Sequence, residues 1–301
     1  MNGWGSTRLQ RGPFVVSMLC SMTRVLLIAL ALAAAPALAQ YTTPPDASRQ
    51  PGEPARGGAA LRAQLAPLLA EADATYKRRD DPAQLAAHRA RLAEAEKLAP
   101  NDYEVLWREA RLYFWLADDP TIAPKEKSRL GKTGWEHGDR ATAADPARVE
   151  GWHFAAAGVG NYALGIGIFT ALRQGIEGKF KDRLSHAEQI DPGFQNGAIQ
   201  TAWGRFWYEL PWPKYSARRS RESLEAALKR NPDNVRAHVY LAELYLKEDR
   251  PDVWQIELQK ATAGAPGRYD APEERRWQAQ ARRMLAAGPK PKEEERHDLG
   301  G

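Results

Sequence analysis

Five segments of the chain close alike, with an alanine five residues ahead of a proline: Ala95 and Pro100, Ala141 and Pro146, Ala187 and Pro192, Ala227 and Pro232, Ala261 and Pro266. After each of the first four prolines an alanine recurs at the tenth position, at Ala110, Ala156, Ala202 and Ala242. Alanine is abundant here, so one match means little, but nine in phase mean a repeat. Such a repeat predicts stacked helix pairs. Small residues are needed where antiparallel helices cross closely, and a proline is tolerated at the first position of a helix because its missing N–H would go unpaired there anyway. On this reading Asp145, Asp191 and Asn231, which directly precede three of the prolines, cap a helix that the proline opens.

The interval from Pro232 to Pro266 is 34 residues, the tetratricopeptide period, with Leu241, Ala242, Tyr245, Leu258 and Ala261 at packing positions. The earlier intervals are longer and predict insertions near 118–134, 172–180 and 209–216. Insertions in such arrays gather on one face and often build the binding site. Ahead of them, 59–78 and 82–98 read as a first helix pair, with Leu61, Leu65, Leu68 and Leu69 on one stripe. The expected fold is all-α, a tetratricopeptide-like helical repeat array of about five helix pairs with insertions.

Met22-Thr-Arg24, the apolar run from Val25 and the small residues Ala37-Leu-Ala39 form the three parts of a secretory signal. The expected organisation is a signal peptide over 1–39, with Met22 as an alternative start, a flexible leader over 40–58, a helical domain over 59–288 and a disordered charged tail over 289–301. The expected location is the periplasm. Cys20, the single cysteine, precedes the apolar run where a lipidated cysteine would follow it, so a lipid anchor is not expected. Removal of 1–39 takes away Arg8, Arg11 and Arg24 and no acid, lowering the net charge from +5 to +2. Without a basic patch, nucleic acid is not an expected partner.

Residues 151–172 carry no charge. Their length permits a membrane span, but the segment keeps the repeat phase at Ala156, holds His153 and Asn161, and is rich in glycine. It reads as a buried central helix whose small faces admit neighbours or a ligand, and no stable span is expected after signal cleavage. Gly158-Val-Gly160-Asn-Tyr-Ala163 fits a loose dinucleotide pattern, but no strand precedes it. A second cluster, Trp203 to Tyr215, runs from a helix into a loop stiffened by Pro211 and Pro213. Its aromatics read either as array core or as a cleft wall in which Arg205 is available to a carboxylate. The candidate cleft therefore comprises Trp152, His153, Asn161, Tyr162, Phe169, Trp203, Arg205, Trp207, Tyr208 and Trp212. The sequence has no H-E-x-x-H, G-x-S-x-G or P-loop, and its six histidines are scattered, so no enzyme activity, metal or cofactor is expected.

Arg148-Val-Glu150-Gly151-Trp-His-Phe-Ala, Gly160-Asn-Tyr162-Ala, Gly165-Ile-Gly-Ile, Gly175-Ile-Glu-Gly178, Ile190-Asp-Pro192 and Gly204-Arg205-x-Trp-Tyr208-x-Leu-Pro211 resemble a known family. It is the tetratricopeptide family of the T component associated with TRAP transporters (TatT-like), distantly related to regulators of microtubule dynamics. The resemblance spans about 140–265. It implies an all-α bundle with a ligand-accessible cleft, assembly as a homo-oligomer, and pairing with a periplasmic solute-binding protein that delivers a small hydrophobic organic ligand. The other expectation is a plain periplasmic adaptor in envelope assembly, gripping a protein partner without a ligand cavity.

Overall fold

The structure, a computed structural model, describes residues 56–289. The signal segment with Cys20, most of the leader and the charged tail lie outside the described residues. Among these residues there are twelve α-helices and no strand, in the order α1 Arg56–Tyr76, α2 Pro82–Leu98, α3 Tyr103–Ala117, α4 Pro124–Ala144, α5 Val149–Ile166 and α6 Ile168–Arg173, then α7 Ile176–Ile190, α8 Ala198–Glu209, α9 Ala217–Arg230, α10 Val235–Lys247, α11 Pro251–Ala263 and α12 Ala271–Ala287. A 3₁₀ turn, Phe194–Asn196, leads into α8. The architecture is an all-α helical repeat array.

The repeated alanine and proline turn out to end helices. The backbone N–H groups of Ala99, Asp145, Asp191 and Asn231 donate to the carbonyls of Ala95, Ala141, Ala187 and Ala227, closing α2, α4, α7 and α9. Each of those four alanines is fully buried. The proline comes next and does not open the following helix: α3, α5 and α10 begin three residues after Pro100, Pro146 and Pro232. The reason is steric, because a proline ring disfavours the helical conformation of the residue before it. The four residues preceding the prolines accordingly leave the helical region, with φ between −137° and −148°. Asp145, Asp191 and Asn231 act within the turn, their side chains accepting from the N–H of Ala147, Gly193 and Asp233. The starts of α3 and α10 are capped by Asp102 and Asn234 instead.

A buried leucine lies three residues before the alanine in four of the five repeats, at Leu92, Leu184, Leu224 and Leu258. In α4 that position is Gly138. A β-carbon there would fall 2.6 Å from the Ala155 backbone of α5, and one at Gly158 would fall 2.4 Å from the Trp135 nitrogen of α4. Gly165 is as close to Ser128. The glycines of α4 and α5 thus bring two helix backbones into direct contact, which explains the uncharged, glycine-rich stretch. No helix among the described residues is long and apolar enough to cross a membrane.

The expected insertions have different structural origins. Residues 118–123 form a turn before the long α4, Gly167 and Gly175, both at positive φ, set off the short α6 ahead of α7, and 210–216 form a loop with a cis Trp212–Pro213 bond. The last helix returns to the first pair. Arg79, after α1, pairs with Asp270 at the start of α12, Arg275 of α12 pairs with Asp80, and Arg276 donates to the Trp115 carbonyl of α3.

Candidate functional site

Closure by α12 leaves a cavity of about 340 Å³ walled by α5, α7, α8, α10 and α12. His153, Ala157, Asn161 and Leu164 contribute one face of α5, separate from the Gly151, Gly158 and Gly165 face that meets α4. Leu164 and Tyr269 are both exposed, so its ends reach the surface.

Two arginines organise the polar wall. Arg205, on α8, pairs with Glu209 at 2.5 Å and with Glu243 of α10. Its guanidinium lies between the rings of Tyr208 and Tyr240, 4.8 and 4.7 Å from their centres. Arg236, on α10, pairs with Asp118 at the end of α3 at 2.7 Å and with Glu273 of α12 at 3.0 Å. It also faces the rings of Phe114 and Trp277. Burial by itself would lower both guanidinium pKa values, but the flanking carboxylates more than reverse it and hold both side chains charged. Burial acts oppositely on Glu273 and raises its pKa.

His153 is 5% exposed and its Nδ1 has no hydrogen-bond partner. Burial, reinforced by the charge of Arg236, lowers its pKa to about 4, so the imidazole is neutral at physiological pH. His153 therefore lines the void with one ring nitrogen unpaired, whereas buried polar groups are ordinarily paired.

Of the ten residues singled out in the sequence, the cavity takes His153, Asn161 and Arg205. Arg205 is already held by two internal carboxylates and is not available to one from a ligand. Trp152 and Tyr162 are each one residue from a lining position and so point about 100° away around α5. Trp152 stacks on His186 and donates to the Pro146 carbonyl, while Tyr162 packs on Trp135 and donates to Gln174. Trp203 donates to Glu188 and Trp207 lies against Arg219. Tyr208 belongs to the core of the C-terminal repeats. Phe169 is exposed on α6, and Trp212 is 88% exposed in the loop after α8. Asp118 at the end of α3, Arg236 and Tyr240 of α10, and Glu273 and Trp277 of α12 also line the cavity, from elements far apart in sequence and with no local signal that groups them.

Among solved structures, the fold is similar to the crystal structure of a thermophilic TPR protein from Thermus thermophilus, with a TM-score of 0.55 and 20% sequence identity over 73% of this chain and 100% of that one. At that identity the likeness speaks for the fold, a TPR-like helical repeat. No protein-family model matches the chain, and no curated protein matches it.

Proposed function

We propose that this chain is an exported, non-enzymatic TPR-type scaffold whose cavity holds a small organic ligand and whose surface engages a partner protein, a periplasmic solute-binding protein of the TRAP type. The observation that carries the ligand reading is the void of about 340 Å³ bordered by unpartnered His153. It falls at the lower end of the volumes that take small molecules, and its walls combine apolar and aromatic side chains with convergent charged and polar ones. A plain adaptor needs no such void. The partner class, homo-oligomerisation and periplasmic location rest on the resemblance over 140–265 and on the signal-like segment.

Pull-down of the mature chain from its own periplasm, with analysis of both captured proteins and extractable small molecules, tests the reading. The expected result is a solute-binding protein together with an organic compound. Protein partners without any small molecule, and no ligand adduct by native mass spectrometry, would leave the adaptor reading in its place.

A further inference from the structure

We propose that one edge of the array docks on an anionic phospholipid surface, through Trp212, Phe169 and Leu164 and the basic side chains around them. This docking is independent of whether the cavity holds a ligand.

Successive turns of an antiparallel helical array alternate between its two edges. The junction from the end of α5 through α6 to α7 and the loop between α8 and α9 therefore share an edge, and Lys214 of the loop pairs with Glu177 in the first turn of α7. Three exposed large apolar side chains lie there, Leu164, Phe169 and Trp212. Trp212 is set between Pro211 and Pro213, and the N–H groups of Lys214 and Tyr215 donate to the Pro211 carbonyl. The turn is thus made by backbone groups and does not need the indole, which the fold leaves 88% exposed. Leu164 also lines the cavity, so that end of the void opens onto the same edge.

Residues 164–183 and 210–222 hold eight basic side chains against Glu177, Asp182 and Glu222. Arg183 and Arg221 also draw on Asp139 and Glu248. Lys247, against the rings of Tyr208 and Tyr215, adds a cation, and Arg205 with Glu209 and Glu243 takes one away. With every one of these carboxylates counted, cations remain in excess by three. An extended negative surface responds to net charge, so ion pairs within the edge do not cancel that excess. Arg173, Lys179 and Arg218 are among the exposed ones. A tryptophan suits the headgroup layer, where its ring is apolar and its N–H stays wet, and Lys and Arg stems lie along the apolar boundary while their charged ends reach phosphates. Apolar side chains projecting singly among cations match that layer.

Flotation of the purified chain with vesicles of phosphatidylcholine alone, and of phosphatidylcholine and phosphatidylglycerol in equal parts, tests the docking. The chain is expected to float with the mixed vesicles only, and raising the salt from about 0.1 to about 0.5 M is expected to weaken the binding. Trp212→Ser and Arg173→Glu, both at exposed positions, are each expected to weaken it at least about fivefold. Leu98→Ser and Arg230→Glu, exposed at the opposite edge, should leave it unchanged. Circular dichroism establishes that each variant folds. The apolar run from Val25 can itself hold a vesicle, so binding that survives both Trp212→Ser and Arg173→Glu would overturn the docking. Equal binding to the two kinds of vesicle, or binding to neither, would also overturn it. Absence of vesicle binding, with Trp212→Ser losing a captured protein in the periplasmic pull-down, would give the edge to a protein partner instead.

Discussion

Arg79 and Asp270 meet as a two-pronged ion pair, at 2.7 and 2.8 Å, across 191 residues of sequence. Arg79 is 3% exposed, with its guanidinium against the rings of Tyr76 and Trp115. The Asp270 carboxylate also caps α12 by accepting from the Glu273 N–H. One carboxylate thus both starts the last helix and ties it to the first pair, and Asp270 itself lines the cavity.

Arg79→Ala is expected to lower stability by about 2 kcal/mol, less than a fully buried pair would lose because Asp270 is partly exposed. The loss should concentrate in α12. Hydrogen exchange read peptide by peptide should show α12 speeding up well before α7, and a uniform change across both helices would refute the tie to the first pair.

Gly158→Ala should be severe. The new methyl would lie 2.4 Å from the Trp135 backbone nitrogen, a position only a backbone shift can relieve. A loss of about 3 kcal/mol or failure to fold is expected, as for overpacked cores. Gly178→Ala, in α7 with open space around it, is the control and should gain up to about 1 kcal/mol from helix propensity. Similar melting temperatures for the two variants would contradict the contact between α4 and α5.

The leucine three residues before the repeat alanine is fully buried in four of the five repeats, at Leu92, Leu184, Leu224 and Leu258. Leu184→Ala and Leu258→Ala should each cost about 2–5 kcal/mol, the range for fully buried leucines. Leu98→Ala, at an exposed position of α2, should change stability by less than about 0.5 kcal/mol. Denaturant midpoints measure all three.

Glu109, buried on α3, has its pKa raised to about 7 by burial and by the nearby Glu96, with Arg89 acting in the opposite sense. The fold therefore favours the protonated acid. Its contribution is fully present below about pH 4.5 and is lost as pH rises through about 7. Glu109→Gln should leave stability unchanged near pH 4 and raise it near pH 8, by up to about 3 kcal/mol. Parallel stability curves for variant and parent from pH 4 to 8 would dispose of this assignment.

Much of the helix inventory was legible because its signals are local. The alanine and proline pairs marked where α2, α4, α7 and α9 end, although proline's role was misassigned: its effect on the preceding residue stops a helix, and that outweighs its tolerance at a helix start. Ala202 shows where phase alone misleads. It keeps the repeat spacing but is only half-buried and faces the cavity, because in α8 the close approach falls at Gly204, whose carbonyl accepts from Ser220 of α9. The aromatic clusters misled in a related way. Neighbouring residues on a helix face different directions, so a run of aromatics from Trp203 to Tyr208 spreads over several environments.

The sequence by itself determined the helical repeat and marked 151–172 as a buried helix with small faces, since each depends on residues within one element or on a periodic pattern. Tertiary structure alone decided the site. Arg236 and Tyr240 of α10, Asp118 at the end of α3 and Glu273 of α12 converge through contacts whose partners lie far apart along the chain, as do Arg79 and Asp270, which tie α12 to the first helix pair. Whether Arg205 is free to bind an anion or already neutralised followed from the same geometry, because a guanidinium's availability is set by the carboxylates the fold places around it.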